Sequence, residues 1–325
     1  MKFGLSLCPE VGRYPETREQ ARAAEALGYD SVWLPEHHLM AGYAPSPMLG
    51  LAAVATVTER VQIGTDVAIV PFYNPVRLAE DSAMLSDMSD GRFILGVGLG
   101  YRKEEFAAFG VPFHERGRRM HESLAIIRRL LSEDSVSFSG EFTTLDEVTI
   151  YPRPPHVPLY VGGWSAPALG RAAEFGDAWF PGPTADLEKL KACLDIYDEA
   201  LAEDDRVRTE LPIFREVWVA TDDGSMAAGV DPMRSLYVDD YLAWEHDNVD
   251  DGGTDDPFKG LSQDRFIVGD PEEVTEEICR YRDELGVTHL VARMHFHGSD
   301  HRRVMEAMEL FSDRVMPAVR NEGAS

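Results

Sequence analysis

Residues 61–97 decide the fold, and they read VQIGTDVAIVPFYNPVRLAEDSAMLSDMSDGRFILGV. Val61–Val70 is an apolar run that predicts a long strand. Pro75–Ser89 predicts a helix that begins at a proline, and Phe93–Val97 predicts a second strand. A strand, a helix and a strand in this order predict two parallel strands joined by a right-handed crossover.

The same alternation extends in both directions along the chain. Six further apolar runs extend this pattern. The eight predicted strands are Phe3–Leu7, Asp30–Leu34, Val61–Val70, Phe93–Val97, Leu159–Gly162, Ala178–Phe180, Ile213–Ala220 and His289–Phe296. Helical patterns separate them, at Thr17–Leu27, Pro47–Thr58, Pro75–Ser89, Arg116–Leu131, Pro167–Phe175, Leu187–Glu203, Pro271–Leu285 and Arg302–Met316. Eight such units predict an α/β fold, a single (β/α)₈ TIM barrel, with a doubly wound open sheet as the alternative.

Two segments depart from the repeat and are predicted to be insertions in the barrel. Ser137–Ile150, after the fourth helix, alternates like a β-hairpin. Asp222–Gln263, after the seventh strand, is long and acidic, which is typical of a lid or a binding loop. No linker divides the chain, so we predict one domain over residues 1–325.

Composition excludes several classes of function. The chain has 325 residues, 44% of them hydrophobic, and a formal net charge of −26. Such a charge repels phosphates and anionic lipids, so we expect neither a nucleic-acid nor a membrane partner. The short apolar run at the N-terminus does not predict a signal peptide, and Cys8, Cys193 and Cys279 have no metal or disulfide spacing, so we expect a cytoplasmic protein. The acidity indicates either a solubilising surface or a halophilic, high-salt cytoplasm.

In a barrel of this kind, reactive groups lie just after the strands. Glu36-His37-His38 follows the second strand, where a histidine beside a carboxylate can transfer a proton near neutral pH. The alternative is a hydrogen-bonded pair of surface histidines.

Two glycine-rich segments predict contact with a ligand. Residues 96–100, GVGLG, lack the third glycine at the spacing of a dinucleotide fingerprint. We therefore interpret Gly98 and Gly100 as positions where the backbone approaches a flat ligand. Residues 162–166, GGWSA, precede a helix and predict an anion site suited to a phosphate. The alternative for Ser165 is an ordinary helix N-cap.

His295 and His297 form an H-x-H pair at the eighth strand. Such a pair suits a metal, but the other ligands of a metal-dependent hydrolase barrel are missing, since the first strand ends in no histidine pair and the fifth and sixth strands end without histidine. We therefore predict no metal and expect these histidines to line the mouth of the barrel.

Several ordered blocks resemble the luciferase-like monooxygenases, the bacterial luciferase superfamily, over nearly the whole chain. The blocks are residues 29–38, 59–65, 74–81, 85–93, 109–118 and 161–163. This resemblance implies a (β/α)₈ barrel, an oxidoreductase that acts on a small-molecule substrate, and a flavin or deazaflavin (F420) cofactor. It also implies a homodimer.

The resemblance also implies site residues. His37 would be the catalytic acid/base, with His38 beside it, and a non-prolyl cis peptide bond at Asp66-Val67 would support the cofactor ring. The cofactor phosphate would be held by Ser165 with Gly163 and Trp164, helped by Arg118 or, at a shifted position, Arg116.

The chain departs from luciferase itself, because Gly98 stands where luciferase has a reactive cysteine and Leu99 where it has an arginine that binds phosphate. The Glu-His-His motif favours a monooxygenase that uses reduced FMN, supplied by a separate flavin reductase. The alternative is an F420-dependent dehydrogenase or reductase that transfers hydride. A flavin-binding protein without turnover and a metal-dependent hydrolase are further alternatives.

Overall fold

A computed structural model describes residues 1–40, 42–154, 156–242, 244, 248–249 and 257–322. Its strands are β1 Lys2–Ser6, β2 Ser31–Leu34, β3 Gln62–Thr65, β4 Ala68–Ile69, β5 Phe93–Gly98, β6 Val136–Ser139, β7 Thr144–Val148, β8 Leu159–Val161, β9 Ala178–Trp179, β10 Pro212–Val219, β11 Ile267–Gly269 and β12 His289–Arg293. Its α-helices are α1 Tyr14–Ala26, α2 Pro47–Ala55, α3 Pro75–Met88, α4 Lys103–Ala108, α5 Arg116–Ser132, α6 Ala166–Phe175, α7 Leu187–Ala202, α8 Asp223–Ser235, α9 Pro257–Ser262, α10 Pro271–Leu285, α11 His301–Leu310 and α12 Met316–Glu322.

The strands form a curled parallel sheet in the order β11-β10-β12-β1-β2-β3-β5-β8-β9, with β4 paired to β5. The two ends of the barrel wall meet where the Phe214 N–H on β10 donates to the Pro181 carbonyl just after β9, at 3.2 Å. All eight predicted strands have a counterpart in this sheet. The predicted TIM-barrel class of fold is therefore confirmed.

The predicted strand Val61–Val70 is wrong as one continuous element. It is divided into β3 and β4 at the Asp66-Val67 peptide bond, which is cis. An uninterrupted apolar pattern does not reveal this break, because every residue in it fits a strand. Only the family resemblance predicted the cis bond, and the structure confirms it.

Aromatic side chains fill the inside of the barrel. The buried cluster consists of Trp33, Ile94, Tyr160, Ala178, Phe180, Phe214 and Val291. A Cβ atom placed on Gly64 would lie 2.3 Å from the Trp33 ring, so the glycine leaves the room that the indole occupies. This cluster closes the barrel below the carboxyl ends of the strands and leaves those ends free for a site.

Both predicted insertions contain regular structure. β6 and β7 pair as an antiparallel hairpin, as expected for Ser137–Ile150. The insertion after β10 contains α8, a π-helical segment at Leu236–Tyr241, and α9. The rest of that insertion, residues 243, 245–247 and 250–256, lies outside the described residues. Sequence analysis did not predict α4 or the short outer strand β11, and it predicted α8 only as part of a loop.

The helix ends follow ordinary capping chemistry. The Asn74 side chain accepts from the Val76 and Arg77 N–H groups at the start of α3, where Pro75 has no N–H that would need an acceptor. Asp270 and Glu273 form a capping box on α10, and Gly286 ends that helix at φ 72°. Among the described residues, no helix combines the length and the apolar character that crossing a bilayer requires.

Candidate functional site

A cavity of about 970 Å³ opens at the carboxyl ends of the barrel strands. Most of the predicted site residues line it, namely His37, Asp66, Val67, Gly98, Gly100, Gly163, Trp164 and Ser165. They come from the ends of β2, β3, β5 and β8, which are neighbours in the sheet. Chain segments that are distant in sequence thus form one continuous wall.

His37 faces a buried carboxylate. The Nδ1 atom of His37 lies 3.5 Å from the Glu105 Oε1 atom on α4. Burial alone would raise the pKa of Glu105, but the nearby His37 imidazole and hydrogen bonds from the His38 N–H and Arg102 hold that pKa below its usual value. An ionised Glu105 beside Nδ1 can orient the imidazole, and an oriented histidine in a cavity is a suitable group for proton transfer.

His38 points in another direction. Its Nε2 atom lies 2.8 Å from the Glu36 Oε1 atom, and its ring packs against Phe72 and Phe109. Glu36 also accepts from the Ile69 N–H at 2.7 Å and from the Tyr73 hydroxyl at 2.8 Å. The predicted catalytic role of His38 stays a prediction, and its position suits a group that fixes Glu36.

Aromatic rings surround His37. Ring centroids of Tyr43, Tyr101 and Trp244 lie 4.7, 5.8 and 6.3 Å from the imidazole, and Arg102 stacks on Trp244. Trp244 belongs to the insertion after β10, which therefore covers this part of the cavity. Rings on three sides leave little room for water around a group that transfers a proton.

The same wall is flat where β3, β4 and β5 meet. The Val67 side chain follows the cis peptide bond and lies against Gly98, where an added Cβ atom would be 2.4 Å from Val67 Cγ2. Gly98 is thus required by close packing, and it leaves a surface without protruding side chains. Such a surface fits a planar ligand.

A polar layer forms the floor of the cavity above the aromatic cluster. Ser6, Glu216 and Arg293 occupy matching positions on β1, β10 and β12. Arg293 forms an ion pair with Glu216 and donates to the Tyr241 hydroxyl at 3.1 Å, and the Tyr237 hydroxyl donates to Glu216 at 2.8 Å. The π-helical segment of the insertion is therefore bonded to charges inside the barrel.

The predicted phosphate site lies at the other end of the same wall. Ser165 is the N-cap residue of α6 but makes no capping hydrogen bond with its side chain, so its hydroxyl does not serve the ordinary N-cap function. Arg116 lines the cavity beside it and stacks on Phe113. The predicted alternative Arg118 lies outside the cavity, paired with Glu141, with its side chain 55% exposed. The cofactor role of Arg118 stays a prediction, while Arg116 has the position that such a role needs.

The H-x-H histidines do not line this cavity. His295 Nε2 and His297 Nδ1 lie 2.8 and 3.0 Å from the two carboxylate oxygens of Glu10, which also pairs with Arg13 at 2.6 Å. Burial opposes ionisation of Glu10, but the His295 hydrogen bond and the charge of Arg13 lower its pKa to about 2.

Cys8, Glu10 and His295 lie close enough together to share an ion. Arg13, His295 and His297 already occupy the two carboxylate oxygens of Glu10. This disfavours a cation, because a carboxylate ligand must be free to bind the metal. The cluster instead ties the loop after β1 to the loop after β12.

Sequence reasoning missed Glu105, Tyr43, Arg293 and Trp244. Glu105 follows the glycine-rich strand end by five residues, in a helix too short to produce a clear periodic signal. Arg293 stood inside a predicted strand, where a single charge among apolar residues was a usable signal.

Comparisons with known proteins agree with this geometry. Residues 1–289 match the sequence profile of the family described as luciferase-like monooxygenase. An F420-dependent glucose-6-phosphate dehydrogenase from Amycolatopsis mediterranei is 31% identical over 99% of this chain and 100% of that relative.

Two solved structures are similar over almost their whole length. A monooxygenase from Streptomyces bottropensis has a TM-score of 0.85 at 26% identity, with 98% of this chain and 99% of that chain covered. An F420-dependent secondary alcohol dehydrogenase in complex with an F420-acetone adduct has a TM-score of 0.81 at 25% identity, with the same coverage. The neighbours thus include both a monooxygenase and an F420-dependent alcohol dehydrogenase.

Proposed function

This chain belongs to the luciferase-like monooxygenase family, and we propose that it is an F420-dependent dehydrogenase that oxidises an alcohol group of a small organic substrate. The observation that carries this proposal is the His37–Glu105 pair inside the cavity. Oxidation of an alcohol requires a base for the hydroxyl proton, and a histidine oriented by an ionised carboxylate is such a base. F420, when bound, supplies the hydride acceptor.

The cavity residues fit a cofactor with a planar ring and a phosphate. Gly98 keeps the wall beside Val67 flat, and the Ser165 hydroxyl at the start of α6 is not used as a cap. The Nε atom of Arg116 is buried and has no hydrogen-bond partner among the described residues. We propose that Ser165 and Arg116 hold the phosphate and that Val67 and Gly98 support the ring.

The choice of F420 over FMN reverses our preference from sequence. The Glu36-His37-His38 motif favoured FMN, but the Glu36 carboxylate is already bonded to His38, Ile69 and Tyr73. A carboxylate whose oxygens already form hydrogen bonds within the protein has little capacity to select between cofactors. The named relative that matches end to end is F420-dependent, and this similarity supports F420 here. A separate flavin reductase is not needed for hydride transfer, and a homodimer stays a prediction.

The similarity to the Streptomyces bottropensis monooxygenase supports a second candidate, oxygenation with reduced FMN. The two candidates differ in cofactor affinity. We expect F420 to bind at least about tenfold more tightly than oxidised or reduced FMN, a difference of about 1.4 kcal/mol. Isothermal titration calorimetry under anaerobic conditions measures all three.

Turnover then tests the reaction itself. With F420 bound, secondary alcohols and glucose 6-phosphate are the first substrates to assay, since related enzymes carry those names. Tighter binding of reduced FMN, together with oxygen consumption that depends on a substrate, would replace our proposal with the monooxygenase.

Two neighbouring arginines test the phosphate site. Arg116→Ala should weaken F420 binding by about 10- to 100-fold, because a charge-assisted hydrogen bond contributes about 1.5–3 kcal/mol. Arg118→Ala is the matched control, since Arg118 lies outside the cavity, and it should leave the dissociation constant within about twofold. Calorimetric titration of both variants decides between them. The reverse pattern would place the phosphate at the α5–hairpin surface.

A further inference from the structure

One carboxyl group in the cavity wall lacks a well-formed hydrogen bond to the rest of the described chain. Asp66 is only 9% exposed, and it lines the cavity at the end of β3. Neither of its carboxyl oxygens makes a hydrogen bond of normal geometry to another described residue. A buried polar group without a partner is costly in a folded protein, so a partner supplied by a ligand is the natural explanation.

The surroundings of Asp66 favour its neutral form. Burial raises its pKa to about 8, although the Ser6 hydroxyl and the charge of Arg293 oppose the shift. Arg293 is already paired with Glu216, so its charge is largely neutralised for other groups. Near neutral pH, Asp66 is therefore mostly a carboxylic acid, which has one hydrogen to donate.

The sheet order indicates which part of a ligand reaches Asp66. The neighbouring strands β8, β5 and β3 carry Ser165, Gly98 and Asp66 at or just beyond their carboxyl ends. Adjacent strands lie about 4.8 Å apart, so the ends of β3 and β8 are roughly 10 Å apart across the wall. A cofactor anchored by its phosphate at Ser165 and lying across Gly98 has its ring at Asp66.

We propose that Asp66, as a neutral carboxylic acid, donates a hydrogen bond to a carbonyl oxygen of the bound cofactor ring, and that cofactor affinity is lost when Asp66 ionises. This inference rests on the proposed cofactor site. A carboxylate has no hydrogen to donate and repels a carbonyl oxygen. Ring carbonyl oxygens occur in both F420 and FMN, so the inference holds for either cofactor.

Cofactor binding is expected to weaken as the pH rises through the pKa of Asp66. Below about pH 8 the free protein carries the protonated acid and binds the cofactor, and above it each pH unit weakens binding by about tenfold. On the side that faces the cavity, β5 carries glycines, which have no side chain that could titrate. The charged or titratable groups near Asp66 come from β12, β10, the insertion and the end of β2, and they are Arg293, Glu216, Tyr241, Glu36 and His37.

Calorimetric titration of F420 into the wild-type protein and Asp66→Asn tests this inference. The wild type should bind about 30-fold more weakly at about pH 9.5 than at about pH 7. Asp66→Asn keeps the shape and a donor but cannot ionise, so its affinity should stay within about threefold over the same range. Every other titrating group is common to both proteins, and the difference between their pH profiles therefore belongs to Asp66.

Proton uptake gives a second measurement that does not depend on turnover. The measurement is calorimetric titration at about pH 9 in buffers of different ionisation enthalpy. The wild type should take up close to one proton for each cofactor that it binds. Asp66→Asn should show no proton uptake attributable to position 66. Asp66→Ala, which removes the donor, should bind about fivefold more weakly than the wild type at about pH 7.

The outcomes separate the two proposals. Binding at about pH 7 that continues unchanged to about pH 9.5, with the same profile in Asp66→Asn, overturns the role of Asp66 and leaves the cofactor site intact. Absence of F420 and FMN binding in every protein at about pH 7 overturns the proposed function, and with it the role of Asp66.

Discussion

Replacing His37 with alanine should lower kcat for alcohol oxidation by about 10²–10⁴-fold, which is the usual contribution of a positioned general base. The imidazole lies beside Glu105 within the aromatic surround, so no other described side chain replaces it at that point. The variant should still bind F420 with a dissociation constant within about threefold of the wild type, because His37 is not part of the proposed phosphate site. Anaerobic single-turnover kinetics, followed by the absorbance of oxidised F420, measure the loss.

His38→Gln is the matched control for this prediction. Glutamine can still donate to Glu36, and the side chain at this position does not line the cavity. Its kcat should stay within about threefold of the wild type. If His37→Ala keeps full activity while His38→Gln loses it, the roles of the two histidines are exchanged and our assignment is wrong.

Arg293→Met should lower the free energy of unfolding by about 3–5 kcal/mol, because it leaves a buried carboxylate without its counter-charge. Both partners of the ion pair are almost fully buried, with side-chain exposures of 7% for Arg293 and 0% for Glu216. In the variant, Glu216 would have to be protonated or to remain as an unpaired charge, and both states cost free energy. Urea denaturation at neutral pH gives the difference.

The double variant Arg293→Met, Glu216→Gln separates charge from packing. Glutamine removes the uncompensated charge but still accepts the hydrogen bond from Tyr237. We expect it to recover at least about half of the lost stability. A double variant no more stable than Arg293→Met would mean that the arginine acts through packing against Phe214 and Phe296, not through its charge.

Much of the fold could be predicted from sequence, because strands and helices have short periodic patterns. The units from β1 to β5 and the hairpin of β6 and β7 follow from local alternation alone. The division of residues 61–70 at Asp66-Val67 could not be derived from pattern, since cis and trans peptide bonds join the same residues.

The candidate site was only partly predictable, for a different reason. Positions just after strands are readable from sequence, and His37, Gly98 and Ser165 were found in that way. Glu105 and Arg293 act through contacts with partners that are 68 or more positions away in the chain. A single sequence can mark Arg293 as an unusual charge in a strand, but it does not show which residue either side chain pairs with, and the structure supplies the partners.

The hydrogen bonds that join Tyr237 and Tyr241 to the Glu216–Arg293 pair affect how easily the π-helical segment opens. A surface cap that rests on a barrel can open on its own, whereas this one has its hydrogen-bond partners inside the barrel. Lifting the π-helical segment exposes a buried ion pair to solvent, so its opening is energetically coupled to loosening of the barrel interior. Amide hydrogens of residues 236–241 are therefore expected to exchange with solvent almost as slowly as those of the central strands. A chimera in which another insertion replaces this one must therefore keep Tyr237 and Tyr241, or substitute the charged residues beneath them, Glu216 and Arg293.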